Sequence, residues 1–294
     1  MSGVNRVGLF LVFVLSISID ASQYRPVVLM HGITSSASDL YELAGWINQT
    51  YPGIYVVSIE IGNGADDSVM LSINRQIEIF CANVRADPHL QQSFNMLGFS
   101  QGSVIVRGAL ERCSLPVHNL ITLSGISGGV FGVPNLLNLS AHVRELITEF
   151  VYEEFVQDTI SIAGYWRDPY QLDKYMAHCK FLPDINNELA VINQTYKDNI
   201  LKLNAFVMTY SDVDEIVEPK LSGWFGNYKE KSLTVEAWNE TRQYTEDLLG
   251  LRTLWEQGKI HQFISHVPHG DSDHKPNKDF IFQNIMPFFN NTLP

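Results

Sequence analysis

An α/β architecture with a mostly parallel, doubly wound sheet is what this sequence predicts, on three observations. Short apolar runs rich in Val, Ile and Leu recur along the chain, as expected of strands buried on both faces. Segments of helical period alternate with them, the pattern of β-α-β units that builds parallel sheets. One run, Asn95-Met96-Leu97, ends in Gly98-Phe99-Ser100-Gln101-Gly102 and leads into a helix-like stretch from Val104 towards Arg112. Such a Gly-x-Ser-x-Gly turn from strand to helix marks an α/β-hydrolase fold. Its glycines have a physical reason, since side chains flanking so sharp a turn would clash.

The 294 residues suit one large domain with a single core. With 45% hydrophobic and 18% charged residues the composition is globular. Arg6 precedes an apolar run over residues 7–19, with Ser16, Ser18 and Ala21 as small residues for cleavage. The run is too short to span a bilayer comfortably and reads as a cleaved signal peptide, 1–21. Residues 22–294 then form the mature domain, without a transmembrane anchor. Five sequons agree with a secretory route, at Asn48, Asn138, Asn193, Asn239 and Asn290. Three cysteines allow one disulfide and leave one thiol over. Cys81 and Cys113 stand on either side of the elbow, and Cys179 lies apart with no metal-ligand spacing around it. A net charge of −12 argues against nucleic acid and anionic membrane surfaces as partners.

The first strand, within 24–30, ends at His31-Gly32-Ile33-Thr34-Ser35-Ser36, the usual opening of an oxyanion-hole loop. Ser38 or Asp39 is placed to cap a helix over 40–48. Tyr51-Pro52-Gly53 turns into the second strand, 54–61. Ile73, Ile77, Phe80 and Val84 follow at close to helical spacing, Asp87-Pro88 ends that helix, and the elbow strand comes next. Another strand at 120–124 closes in Gly125, Gly128 and Gly129.

From 134 to about 203 the alternation stops, and helical patterns occupy 139–150, 151–162 and 193–203. This stretch reads as a helical lid insertion over the carboxyl edge of the sheet, where ligands of such folds bind. It carries Leu136, Leu137, Leu146, Ile147, Phe150, Phe155, Tyr165, Trp166 and Phe181, most of them expected to pack its own core. The sheet resumes at 205–210 and 260–265, and the chain ends in a helix over 278–289, with Asn277 as its cap.

The motifs assemble a hydrolytic group. Ser100 at the elbow is the candidate nucleophile. Past the late strand lies Asp212-Val213-Asp214-Glu215-Ile216-Val217-Glu218-Pro219. Asp214 suits the acid role better than Asp212, because Ile-Val-x-Pro anchors the turn it begins. The histidine must follow in the order Ser, Asp, His. His261 and His266 fall within the last strand's pattern, which leaves His269 and His274. Closeness to the terminal helix and the preceding Gly270 favour His274, and position directly after the strand makes His269 the alternative. Backbone amides of Ile33 and Gln101 are the expected oxyanion donors. No metal or organic cofactor is implied.

These stretches together resemble the palmitoyl-protein thioesterases, lysosomal serine hydrolases that remove palmitoyl groups. The resemblance is carried by His31-Gly32, by Tyr51-Pro52-Gly53-Ile54-Tyr55-Val56-Val57-Ser58-Ile59-Glu60-Ile61-Gly62, by Asp87-Pro88-His89-Leu90-Gln91-Gln92 and by Gly98-Phe99-Ser100-Gln101-Gly102. It continues through Gly129-Val130-Phe131-Gly132-Val133-Pro134, Tyr165-Trp166-Arg167-Asp168-Pro169, Phe181-Leu182-Pro183-Asp184-Ile185-Asn186 and Trp224-Phe225-Gly226. It implies Ser100 as nucleophile, Asp214 as acid, Ile33 and Gln101 as oxyanion donors, a Cys81–Cys113 disulfide and an apolar groove for a fatty acyl chain in the insertion. It also matches a family glycosylation site to Asn193. The loop carrying the histidine differs in length, so the resemblance leaves His269 and His274 both open. Ser103 stands where the family usually has glycine, and Cys179 where some relatives have a sequon.

The implied activity is hydrolysis of long-chain acyl thioesters on S-acylated cysteines of proteins or peptides, in the lysosome or after secretion. Two rivals use the same residues: an oxygen-ester lipase or esterase, and an inactive lipid-binding protein that keeps the fold.

Overall fold

Among the described residues eight strands carry the architecture: β1 (Val27–Met30), β2 (Val56–Ile59), β3 (Phe94–Phe99), β4 (Val117–Leu123), β5 (Ala205–Ser211), β6 (Asn227–Tyr228), β7 (Val235–Glu236) and β8 (Ile260–Ser265). The structure, a computed structural model, describes residues 24–132 and 140–291. Six strands form one sheet in the order β2-β1-β3-β4-β5-β8, every pair parallel. The short pair β6-β7 is antiparallel and has no counterpart in the sequence reading.

The lack of polar–apolar alternation in the strands follows from burial on both faces. In β1, Val27 and Leu29 pack with Leu40, Leu43, Ile47, Ile281 and Phe289, while Val28 and Met30 pack with Phe80, Ile105 and Ala109 on the other side. All four β1 side chains are fully buried, and each stabilises the fold by about 1.5–3 kcal/mol.

On the first face lie α1 (Tyr41–Thr50) and the C-terminal helical segment. On the second lie α2 (Ala65–Met70), α3 (Ile73–Ala86) and α4 (Gln101–Cys113). Ser72 caps α3 by accepting from the Arg75 N–H. A disulfide joins Cys81 of α3 to Cys113 at the end of α4, the pairing the family resemblance implies. The chain runs from β1 outward to β2 and then returns to the other flank of β1 as β3. Loops leaving β1 and β3 therefore diverge, which opens a crevice at the carboxyl ends of these strands.

Between β4 and β5 come α5 (Ala141–Phe150), α6 (Glu154–Thr159), α7 (Leu172–His178), α8 (Leu182–Ile185) and α9 (Gln194–Leu201). The helix expected over 151–162 is broken: α6 ends, Ile160 is extended, and a 3-10 turn covers Ser161–Tyr165. Gln157 holds this break, donating to the carbonyls of Val151 and Ala163. Ile147 and Phe181 are core residues, whereas Phe150 and Phe155 are exposed. Leu136, Leu137 and the Leu146 side chain lie outside the described residues, as do residues 1–23 and Asn138.

Two caps differ from expectation. The helix after β1 starts earlier, with a 3-10 turn at Ala37–Leu40 whose cap position is Ser36, and Asp39 reaches back to accept the Ser36 N–H at 3.0 Å. Asn277 occupies the N-cap position of the terminal helix as expected but makes no side-chain capping bond; its amide N–H donates to the Ser272 carbonyl at 2.8 Å. That helix passes from α to a π turn at Ile281–Ile285 and a 3-10 turn at Met286–Phe289, where Pro287 has no N–H to give.

Candidate active site

The elbow is built from backbone proximity. Ser100 sits between β3 and α4 with φ 53 and ψ −122, a conformation that non-glycine residues seldom adopt. A Cβ on Gly98 would meet the Gly102 carbonyl oxygen at 2.2 Å, and one on Gly102 would meet the Met30 carbonyl oxygen at 2.2 Å. Only glycine fits at either position. The turn is pinned by Ser100 N–H donating to the Leu123 carbonyl and Ser103 N–H donating to the Ser100 carbonyl, both at 2.9 Å. Ser103, the departure from glycine, uses its buried hydroxyl to accept the Ile126 N–H at 3.1 Å.

The loops after β5 and β8 bring the remaining groups. Ser211 and Ser265 are register partners at the ends of these strands, so both loops leave the sheet at one level. Asp214 follows three residues after the first and His269 four after the second. Ser100 Oγ–H donates to His269 Nε2 at 2.9 Å, and His269 Nδ1–H donates to Asp214 Oδ2 at 2.7 Å. The other Asp214 oxygen accepts the N–H groups of Ile216 and Val217 at 2.8 and 2.9 Å. Burial pushes the Asp214 carboxyl up. The hydrogen bond and charge of His269, with the two backbone donors, outweigh it and hold the group below its ordinary value. The ring of Phe99 packs beside the imidazole, with centroids 5.0 Å apart.

The preference for His274 is therefore corrected. Three residues separate the end of β8 from a one-turn 3-10 helix at His269–Asp271, which turns His269 inward. His274 lies past it, half-exposed, its nitrogens 3.6 Å from Glu42 and 3.8 Å from Asp273. Asp212 pairs with exposed His266 instead of the buried imidazole.

The loop after β1 faces Ser100, and a Cβ built on Gly32 would lie 3.5 Å from Ser100 Oγ. Neither the Ile33 nor the Gln101 backbone N–H meets an acceptor among the described residues. Glu60 holds the loop from one side, with one oxygen against His31 Nε2 at 3.0 Å and the other accepting the Ala37 N–H at 2.9 Å. Ser68 holds it from the other, accepting the Thr34 N–H at 2.7 Å. Sequence reasoning gave neither residue a role: Glu60 stood only within a stretch that carries the family resemblance, and Ser68 has no local motif, since their partners lie on another element.

Beside Ser100 a narrow apolar cavity is lined by Ile33, Ile126, Val130, Gly132, Ile162, Tyr165, Ile216 and Val217. Tyr165 is the one residue here that the sequence reading named among the insertion's aromatic side chains; Trp166 packs on Phe131 instead. A larger cleft of about 430 Å³ is lined by Arg167, Glu188, Lys229, Glu236 and Arg242, among others. Its lining is charged and includes none of the three converging residues, so the small apolar cavity is the one that matches the chemistry at Ser100. Cys179 is buried with its thiol on the Gly164 carbonyl, and burial pushes that thiol up to about 12. Among the described residues no cluster of His, Cys, Asp and Glu has the makings of a metal site.

Comparison with known proteins places the chain in a family. The family model described as palmitoyl protein thioesterase matches residues 26–269. Palmitoyl-protein thioesterase 3 of Dictyostelium discoideum is 43% identical, over 97% of this chain and 96% of its own. Palmitoyl-protein thioesterase 1 of Caenorhabditis elegans is 35% identical, over 82% and 85%. The lysosomal thioesterase PPT2-B of Xenopus laevis is 31% identical, over 95% and 96%. Among solved structures, a Bacillus licheniformis lipase superposes with TM-score 0.51 at 13% identity, covering 92% of this chain and 93% of its own, which shows a shared α/β-hydrolase fold.

Proposed function

The chain belongs to the palmitoyl-protein thioesterase family, and from that premise we propose that it hydrolyses long-chain fatty acyl thioesters on cysteines of proteins or peptides through an acyl-enzyme on Ser100. The observation that carries the reading is the unbroken relay Ser100–His269–Asp214 opening on an apolar cavity.

In this mechanism Ser100 Oγ attacks the acyl carbon while His269 Nε2 takes the hydroxyl proton. Asp214 holds the ring in the Nδ1–H tautomer and stabilises the imidazolium. The N–H groups of Ile33 and Gln101 bind the oxyanion, each worth about 10²–10³ in turnover. Collapse expels the thiolate, which takes the proton from the His269 imidazolium. Neutral His269 then accepts a proton from the water that attacks the acyl-enzyme and returns it to Ser100 Oγ as the fatty acid leaves. Thiols have a pKa of about 8.5, so a thiolate leaves without the strong acid assistance an alkoxide needs. The acyl chain lies against the wall of Ile162 and Tyr165, which makes the segment between β4 and β5 a substrate-binding lid. Each buried CH₂ gains about 0.8 kcal/mol before ordering costs, and the cavity beside Ser100, about 20 Å³, takes only a small part of a sixteen-carbon chain.

The relatives' names and the resemblance support a lysosomal location. A cleaved signal at 1–21 and the disulfide fit the secretory route to it. Asn48, Asn239 and Asn290 are exposed, and Asn193 is half-buried with its side-chain oxygen capping α9. These four, with Asn138, are the proposed glycan acceptors. Among the described residues no helix is long and apolar enough to cross a membrane.

A fluorophosphonate probe tests the nucleophile. It should label the native protein once, at Ser100, and leave Ser100→Ala unlabelled. Failure to label the folded native protein would point to a lipid-binding protein without catalysis.

A further inference from the structure

A buried chain of hydrogen bonds links the wall of the acyl cavity to both backbone segments that face the oxyanion. Tyr165 lines the cavity with its ring, and its hydroxyl donates to Gln101 Oε1 at 2.8 Å. The Gln101 amide in turn donates to the Ser68 carbonyl at 2.8 Å and to Gln76 Oε1 at 3.2 Å. Gln76 fastens the same turn by donating to the carbonyls of Ser68 and Leu71 at 3.0 and 2.8 Å. Ser68 Oγ donates to the Ala65 carbonyl at 2.6 Å and accepts the Thr34 N–H at 2.7 Å. Gln101, Gln76, Ser68 and Tyr165 are all buried.

Thr34 has φ 57, a conformation costly for a β-branched residue, and it follows Ile33 directly. The Ser68 hydroxyl is the partner that holds this strained amide in place. The turn around Ser68 thus grips the Ile33 side of the site through Thr34 and the Gln101 side through its amide.

We infer that Ser68 and Tyr165 are positioning residues of the oxyanion hole, Ser68 setting the Ile33 amide and Tyr165 the Gln101 amide, with Tyr165 also meeting the acyl chain. The inference rests on the hydrolytic reading above and deepens it. Contact of the acyl chain with the Tyr165 ring is passed to the Gln101 segment through one hydrogen bond. Donors must stand about 2.7–3.1 Å from where the oxyanion forms, so displacements of a few tenths of an ångström register as rate.

The test uses the full-length protein with Ser68→Ala and Tyr165→Phe, assayed on acetyl and palmitoyl thioesters and titrated with a palmitoyl trifluoromethyl ketone and with palmitate. Each variant should lose about tenfold in kcat on both thioesters with KM within about twofold. The ketone, which forms a tetrahedral adduct, should lose the same factor while palmitate affinity stays put. The inference is overturned if folded variants keep wild-type kcat. It is equally overturned if Tyr165→Phe raises only the palmitoyl KM, or if ketone and palmitate weaken together. Should Ser68→Ala not fold, Tyr165→Phe decides alone, since it deletes a single oxygen. A wild-type protein inert on both thioesters removes the hydrolytic reading itself and this inference with it.

Discussion

His269 Nε2 stands 2.9 Å from Ser100 Oγ, although 169 positions separate the two residues in the chain. Parallel strands of one sheet achieve this: β5 and β8 end at one level, two residues past the end of β3 in the register, with Ser100 directly after β3 and the other two groups on loops after β5 and β8. His269→Ala should lower kcat by about 10³-fold or more and abolish fluorophosphonate labelling. His274→Ala removes only a half-exposed side chain beside Glu42 and should leave both within about twofold. Turnover assays of the two variants side by side check this, and loss of activity in His274→Ala alone would contradict the geometry.

Gly98→Ala places a methyl group 2.2 Å from the Gly102 carbonyl, backbone that has no freedom to yield. The change should destabilise the fold by roughly 1–3 kcal/mol and displace Ser100, so that activity falls more than stability does. Denaturant unfolding together with turnover checks both parts.

Between pH 7.5 and 5 two buried carboxyls and two histidines pull stability in opposite directions. Burial holds His118 down at about 4 and His261 below its ordinary value, so the unfolded chain binds their protons more tightly and acidification costs stability there. Burial pushes Glu111 from 4.5 up to about 7, outweighing Arg107, and Asp273 from 3.8 up to about 6. The folded state binds these protons more tightly than the unfolded chain does. Their contribution is present in full below the unfolded values and is lost as pH rises through 6 and 7. Asp214, Asp39, Asp87 and Asp247 are held below their ordinary values. What they add exists above about pH 4 and is lost on further acidification. Glu111→Gln removes one of the two carboxyls that burial raises, so the melting temperature of the variant should gain on that of the wild type as pH rises from about 5 to 7.5. A difference in melting temperature between variant and wild type that stays constant from about pH 5 to 7.5 contradicts this assignment.

Much of the fold was legible because parallel strands buried on both faces leave continuous apolar runs, and because the Gly98–Gly102 spacing is imposed by backbone contact. Ser100 and Asp214 were legible for the same local reasons. The histidine was not, since whether His269 or His274 turns inward depends on a short 3-10 turn and on strand register. The cavity wall was legible only at Tyr165. Ile126, Val130 and Val217 look like any core residue in sequence, and only the tertiary path brings them beside Ser100. Ser68 and Gln76 were hidden for a similar reason, as their partners lie on other elements.

The account turns on a thioester being the bond cleaved, and the most direct measurement is kcat/KM for a palmitoyl thioester against its oxygen-ester analogue of identical chain. The account predicts that the thioester is hydrolysed faster by the native protein and not at all by Ser100→Ala. Equal rates, or a preference for the oxygen ester, would contradict it and leave an ordinary lipase or esterase in its place.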